Sequence, residues 1–128
     1  MFHALEPIRR TMTLARSADV TFVGIGQMDD SAPLLKDGFL SQDELRAMQE
    51  AGAAGEIVGW IYDESGRYFN FGPNLRAAGV RVEAPEASLV VAVAAGDVKA
   101  RALKAAISGG IINGLITDEP TAQILLDL

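Results

Sequence analysis

The sequence predicts an α/β fold: a mainly parallel sheet flanked by helices, with a small β-hairpin. Two observations carry that prediction. Residues 89–94 (Leu-Val-Val-Ala-Val-Ala) and 111–116 (Ile-Ile-Asn-Gly-Leu-Ile) are short apolar runs, the kind of strand that a parallel sheet buries on both faces. Segments with apolar residues at helical spacing alternate with them, and strands alternating with helices build parallel sheets through crossover connections.

From the start of the chain, Ile8, Met12 and Ala15 recur at helical spacing behind Pro7, which predicts a helix over 7–17. Residues 20–23 (Val-Thr-Phe-Val) read as a strand running into Gly24-Ile25-Gly26, a turn where the backbone can approach a neighbour closely. A short helix is expected over 32–36. Ser41-Gln42-Asp43-Glu44 is a capping box that opens a helix through Leu45 and Met48, stopping near Gly52. Residues 56–62 (Glu-Ile-Val-Gly-Trp-Ile-Tyr) read as one strand, Asp63-Glu64-Ser65-Gly66 as a turn, and 67–71 as the returning strand of a hairpin. A helical turn is expected over 74–78, and 80–83 is ambiguous. After the strand at 89–94, Gly96-Asp97 precedes a helix to Ser108. Its inward face should hold Val98, Ala102, Leu103, Ala106 and Ile107, and Gly109-Gly110 should end it. Thr117-Asp118 offers an N-cap for a last helix over 119–127, with Pro120 in its first turn.

Apolar residues make up 49% of the 128 positions, enough for one domain, 1–128, with one core. Cysteine is absent, which excludes disulfides, thiolate metal sites and thiol nucleophiles. The net charge of −6 and the single adjacent basic pair, Arg9-Arg10, argue against direct DNA binding by this chain. The first residues lack the pattern of a signal peptide, and the run from Leu89 to Ala95 is too short to span a bilayer. A soluble cytoplasmic protein that does not engage membranes is expected.

Ligands of open α/β sheets bind beyond the carboxyl ends of the strands, and three segments lie there or at a strand start. Gly24, Gly26 and Gln27 follow the first strand, where backbone N–H groups could hold an anion; the alternative is a plain tight turn. Gly96-Asp97-Val98-Lys99 joins a strand to a helix start, where the dipole disfavours a lysine unless it meets a phosphate or carboxylate. The alternative there is a solvated Lys99 with Asp97 as an ordinary N-cap. Glu56 opens an apolar strand, and its carboxylate could accept hydrogen bonds from sugar hydroxyls, or simply be an exposed strand end.

Several chemistries find no residues. The one histidine, His3, lies in a terminus expected to fray, so His/Cys metal clusters and a Ser-His-acid triad are not expected. There is no P-loop, and Gly24-Ile25-Gly26 lacks the third glycine of a dinucleotide fingerprint. Asp29-Asp30 reads as a solvated loop, the alternative being a weak divalent-ion site. No cofactor and no metal are expected.

Taken together, five segments resemble one family. They are Ala18-Asp19-Val20-Thr21-Phe22-Val23-Gly24-Ile25-Gly26; Gly38-Phe39-Leu40-Ser41 with Ala51-Gly52-Ala53-Ala54-Gly55-Glu56-Ile57; Trp60-Ile61-Tyr62-Asp63-Glu64-Ser65-Gly66; Ala94-Ala95-Gly96-Asp97-Val98-Lys99-Ala100; and the stretch from Gly109-Gly110-Ile111 to Thr117-Asp118-Glu119 with Thr121-Ala122. In this order they resemble the C-terminal part of the sugar-binding effector domain of SorC/DeoR-type transcriptional regulators. The resemblance implies a fold related to phosphosugar isomerases and CoA transferases. It also implies an effector role, in which a phosphorylated sugar changes the regulator's oligomeric arrangement and operator affinity.

Position by position, the resemblance makes Glu56 the acidic contact to sugar hydroxyls and Lys99 the ligand-contacting lysine, with Gly96 in its turn. Gly24, Gly26 and Gln27 belong to a pocket-lining loop. Ala95 departs from the family, which usually has a second glycine there. Family members also carry a helix-turn-helix region and an earlier half of the sugar domain with a phosphate-binding Gly-rich turn, neither of which is recognised here. The chain therefore corresponds to roughly half of an effector domain. Apolar sheet surface left exposed by a missing half should drive homo-oligomerisation. The expected partners are a phosphorylated sugar effector and further copies of the chain; a full-length protein would bind DNA. Two other readings remain: a phosphosugar isomerase-like enzyme using Glu56 or Asp118 as base, or a self-associating fragment that binds nothing.

Overall fold

The computed structural model describes residues 2–84 and 88–128. In chain order its elements are α1 (Glu6–Arg16), β1 (Val20–Val23), β2 (Gly26–Gln27), α2 (Pro33–Lys36), α3 (Gln42–Glu50), β3 (Ala53–Ile57), β4 (Trp60–Asp63), β5 (Leu89–Val93), α4 (Ala100–Ser108), β6 (Gly114–Ile116) and α5 (Glu119–Asp127). Short 3₁₀ turns occupy Phe2–Ala4, Gly72–Arg76 and Asp97–Lys99. The fold is α/β, as predicted. A three-stranded parallel sheet has the order β1-β5-β6, and a three-stranded antiparallel sheet has the order β2-β3-β4.

The helix limits follow from local chemistry. Ser41 Oγ accepts from the Glu44 N–H at 3.1 Å, and Glu44 Oε1 accepts from the Ser41 N–H at 3.0 Å, so the capping box opening α3 is complete. Asp118 accepts from the Thr121 N–H at 2.9 Å and caps α5 ahead of Pro120. His3 is not frayed: its ring is hydrogen-bonded to the Ala77 carbonyl at 3.0 Å, which ties the first residues to the middle of the chain.

The antiparallel sheet corrects the predicted hairpin. Residues 56–62 are not one strand. The chain reverses at Val58-Gly59, with φ of 54° and 83°, and β3 pairs with β4 from Ile57↔Trp60 outward. Positive φ at both central residues is the backbone twist that tight hairpins require, supplied here against the preference of a β-branched valine. Residues 67–71 form no strand; a single bridge joins Tyr62 to Tyr68. The chain still returns beside β4, where the Asp63 N–H donates to the Arg67 carbonyl at 2.9 Å and the Phe69 N–H to the Ile61 carbonyl at 3.2 Å, and a side chain completes the closure of that edge. Buried Asn74 accepts from the Ile61 N–H at 2.8 Å and donates to the Ile61 and Phe69 carbonyls at 2.7 and 2.9 Å. Gly26-Gln27, read as part of a turn, pairs with β3 as an edge strand.

Two core clusters result. One joins β1, β5 and β3 to α4 through Val23, Ile57, Val90, Ala92, Leu103 and Ala106; the other lies beneath α3, around Leu45, Met48 and Ile61. Helix α4 turns Ala100, Ala102, Leu103, Ala105 and Ala106 inward, while Val98 and Ile107 stay half exposed, so its buried face is rotated from the predicted one. Small residues there allow β3 to come close: a Cβ on Gly55 would strike the Ala102 side chain and the Tyr62 hydroxyl, which donates to the Ala102 carbonyl at 2.9 Å.

The parallel strands also differ from expectation. Only 114–116 of the run 111–116 is strand; Ile111 and Ile112 are buried in the turn after α4. Among the described residues, the sheet is covered on one face only. On the other, Val20, Phe22, Leu89, Val93 and Ile116 are 46%, 65%, 44%, 51% and 55% exposed.

Candidate functional site

Because β1 and β5 are parallel neighbours, paired from Val20↔Leu89 to Val23↔Ala92, their carboxyl ends lie at the same edge of the sheet. The chain leaves β1 through Gly24-Ile25 into β2, and leaves β5 through Ala94-Ala95-Gly96 into the turn that carries Lys99. A cleft of about 820 Å³ opens there, where the two sheets meet. Gly24, Gly26, Glu56 and Lys99 all line it.

Glu56 is held by its surroundings. It pairs with Gly26 across β2 and β3, and a Cβ on Gly26 would collide with its carboxylate, so glycine there makes room for the acid. Glu56 Oε2 accepts from the Gly59 N–H at 2.9 Å, which couples the carboxylate to the Val58-Gly59 turn. Burial pushes its carboxyl above the usual carboxylate range, against the opposing pull of the Gly59 N–H and the positive charge of Lys99. Lys99 forms no ion pair among the described residues. It ends a 3₁₀ turn and occupies the N-cap position of α4 rather than its first turn. Asp97 accepts only from the adjacent Val98 N–H, at 2.8 Å, and does not cap α4.

Two of the residues singled out from sequence are not among those lining the cleft. Gly96 has a φ of 121°, and its N–H donates to Thr121 Oγ1 at 2.9 Å, so it shapes the turn that presents Lys99. Gln27 donates to Ser31 Oγ at 3.2 Å across the loop that follows β2. Asp29 and Asp30 are similarly occupied, by the Ser31 N–H and hydroxyl and by Gln49. No metal-holding cluster occurs among the described residues.

Sequence reading missed the opposite wall. Pro33, Leu34, exposed Phe39, Val58 and Pro73 make it apolar, and Arg76 sits among them. Arg76 donates to Glu44 Oε2 at 2.6 Å and to the Phe39 carbonyl at 2.9 Å, clamping the 72–76 turn to the start of α3. No local pattern marks Arg76, since its partners Glu44 and Phe39 are more than thirty positions away in sequence. The cleft thus offers an acceptor and a cation on one side and an apolar wall on the other. That combination suits a polyhydroxylated anion with a nonpolar face.

The family model "Putative sugar-binding domain" matches residues 1–127. The transcriptional regulator LsrR of Klebsiella pneumoniae is 36% identical over 125 residues, which cover 94% of this chain and 39% of that protein. The erythritol catabolism regulatory protein EryD of Brucella abortus is 33% identical over 109 residues, covering 85% and 34%. Among solved structures, a sugar-binding domain of a transcriptional repressor from Vibrio fischeri superposes with a TM-score of 0.81 at 28% identity, covering 98% of this chain and 51% of that one. The full-length sorbitol operon regulator SorC of Klebsiella pneumoniae has the same fold, with a TM-score of 0.81 at 24% identity over 97% of this chain and 41% of SorC. The chain spans about two-fifths of the length of LsrR and about half of the Vibrio fischeri domain. With the family model matching nearly every residue, this chain belongs to the sugar-binding domain family of SorC/DeoR-type transcriptional regulators.

Proposed function

We propose that the chain is the effector-sensing part of a cytoplasmic transcriptional regulator, and that its cleft takes a phosphorylated sugar without catalysing a reaction on it. The observation that carries this reading is the convergence of Glu56, Lys99, Gly24 and Gly26 on one cleft at the carboxyl ends of two parallel strands. Glu56 accepts hydrogen bonds from sugar hydroxyls, Lys99 meets the anionic group, and the N–H groups after β1 face the ligand. Gly96 and Gln27 act indirectly, by fixing the Lys99 turn and the β2 loop. Asp118, the other candidate base, has its carboxylate committed to the Thr121 N–H, which favours binding over catalysis. The net charge of −6 leaves DNA contacts to polypeptide outside these residues. No helix among the described residues is long and apolar enough to cross a membrane. Copies of the chain associate.

The test is a thermal-shift titration with a panel of ketose and aldose phosphates beside the unphosphorylated sugars. A ligand at 100 times its Kd stabilises the folded chain by about 2.7 kcal/mol, which for a domain of this size raises Tm by about 10 °C. Lys99→Ala should abolish the rise and Glu56→Gln should reduce it. No shift with any sugar phosphate, or an undiminished shift in Lys99→Ala, refutes the reading.

A further inference from the structure

We infer that Arg76 is a specificity-determining residue of the cleft and that it selects a phosphorylated sugar acid, with the phosphate at Lys99 and a carboxylate on the Arg76 guanidinium. The inference rests on the sugar-phosphate reading above and narrows it. Three charged residues line the cleft: Glu56, Arg76 and Lys99. In that reading Glu56 serves the hydroxyls and Lys99 serves one anionic group. A second cation is then left over, with no task in holding a sugar that carries a single phosphate.

Arg76 is engaged without being saturated. Its guanidinium carries five N–H donors. One donates to Glu44 Oε2 at 2.6 Å and one to the Phe39 carbonyl at 2.9 Å. The others have no partner among the described residues, and the side chain is still 55% exposed. The two bonds hold the planar fork in one orientation, so an incoming anion meets a group whose rotamer freedom is already lost. The difference between the two cations assigns the two ends of the ligand. Lys99 has no ion pair among the described residues, and a compact point charge of this kind suits a phosphate dianion. Arg76 shares its charge with Glu44, so a dianion beside it would meet the Glu44 carboxylate. A singly charged carboxylate meets less repulsion and matches the fork geometry. A purely structural clamp would need the Glu44 and Phe39 bonds but no place in the cleft lining. At about 820 Å³ the cleft has room for a phosphorylated six-carbon acid.

Isothermal titration calorimetry with matched pairs reads the preference. Gluconate 6-phosphate and glucitol 6-phosphate differ only in a terminal carboxylate against a hydroxymethyl group, as do ribonate 5-phosphate and ribitol 5-phosphate. In at least one pair the acid should bind ~10- to 100-fold more tightly than the alditol. Arg76→Gln should erase that difference and leave the alditol phosphate within about threefold of its original affinity. Glu44→Gln keeps a side chain able to complete the capping box. It should tighten acid binding severalfold, because a competing carboxylate is gone, whereas loss of a mere clamp would weaken acid and alditol alike. Circular dichroism and urea melts report whether each variant folds. Should Arg76→Gln fail to fold, Arg76→Lys keeps the charge without the fork and should cut the preference at least ~3-fold. Equal affinity for acid and alditol in the unaltered chain overturns the inference and leaves the sugar-phosphate reading standing. So does a preference that survives Arg76→Gln, a uniform weakening in Glu44→Gln, or fructose 1,6-bisphosphate binding more tightly than either acid, which would put a second phosphate at Arg76. No binding of any of these phosphates removes both readings.

Discussion

Gly26→Ala tests the idea that the floor of the cleft is built around one carboxylate. Gly26 has no positive φ, so alanine meets no backbone penalty there. The obstacle is steric: the new Cβ would overlap the Glu56 carboxylate and come within 3.0 Å of its Cγ. The acid has to swing away, losing the 2.9 Å hydrogen bond from the Gly59 N–H. Overpacking costs about 1–3 kcal/mol, and a hydrogen bond to a charged group contributes about 1.5–3 kcal/mol. With partial relaxation the combined loss is about 2–4 kcal/mol, a fall in Tm on the order of 10 °C. The control is Glu56→Ala, which removes the obstacle. In that background Gly26→Ala should cost less than about 1 kcal/mol, so a double-mutant cycle by urea denaturation should return a coupling of about 2 kcal/mol. An equal cost of Gly26→Ala in both backgrounds would show that Glu56 does not lie over Gly26, and the account of the cleft floor would fail.

Glu56 and Glu44 give opposite pH dependences. Burial raises the Glu56 pKa, so its contribution to stability is fully present below the ordinary glutamate value and is lost as pH rises through the folded value. Glu44 is held at about 2 by its hydrogen bonds with Arg76 and the Ser41 N–H, so its contribution is present above the ordinary value and lost as pH falls toward 2. In stability profiles from pH 2 to about 8, Glu56→Gln should remove the loss on the rising limb and Glu44→Gln the loss on the acid limb; reversed effects would contradict both assignments. Asn74→Ala should cost about 2–4 kcal/mol, since it strands the buried Ile61 N–H. Asn74→Asp should also destabilise, because a carboxylate cannot donate to the Ile61 and Phe69 carbonyls; full stability of either variant by chemical denaturation would dismiss this edge closure. Val58→Asn should stabilise by about 1 kcal/mol, because asparagine tolerates the left-handed backbone that valine resists. A lower Tm in that variant would refute strain at the turn.

Where a residue's role is set by its immediate neighbours, the sequence reveals it. Ser41 and Glu44 three positions apart announce the start of α3, and Asp118 ahead of Pro120 announces α5. Lys99 is visible for a related reason: it sits where a helix starts, and a charged residue at such a junction meets a predictable backbone environment; Glu56, expected to open a strand, is the fourth residue of β3 and stands out in the sequence only as the one charge in an otherwise uncharged segment. The hairpin is hidden because its turn is made by Val58, a residue that in isolation extends a strand, so Ile57 to Ile61 reads as one apolar run. Beside the local bond from the Gly59 N–H to the Glu56 carboxylate, the reversal rests on distant sequence, since Val58 packs against Gly79.

The apolar wall of the cleft and the open sheet face are obscured by a more general limit. Hydrophobic pattern reports that a segment prefers burial, but not which layer provides it. Residues 89–93 have the composition of a strand covered on both sides, yet α4 supplies one cover only. Ile111 and Ile112 show the converse, since they are buried without belonging to a strand, in the turn that follows α4. Apolar character and secondary structure therefore separate wherever the covering layer comes from distant sequence. Phe39 is a case in the cleft: it stays exposed, and its place in the wall depends on Arg76 reaching back to its carbonyl. The same reasoning explains why α4 turned its alanines inward instead of Val98 and Ile107. The close approach of β3 at Gly55, sealed by the Tyr62 hydroxyl on the Ala102 carbonyl, leaves room only for small side chains, and that constraint is written two elements away from the helix it rotates.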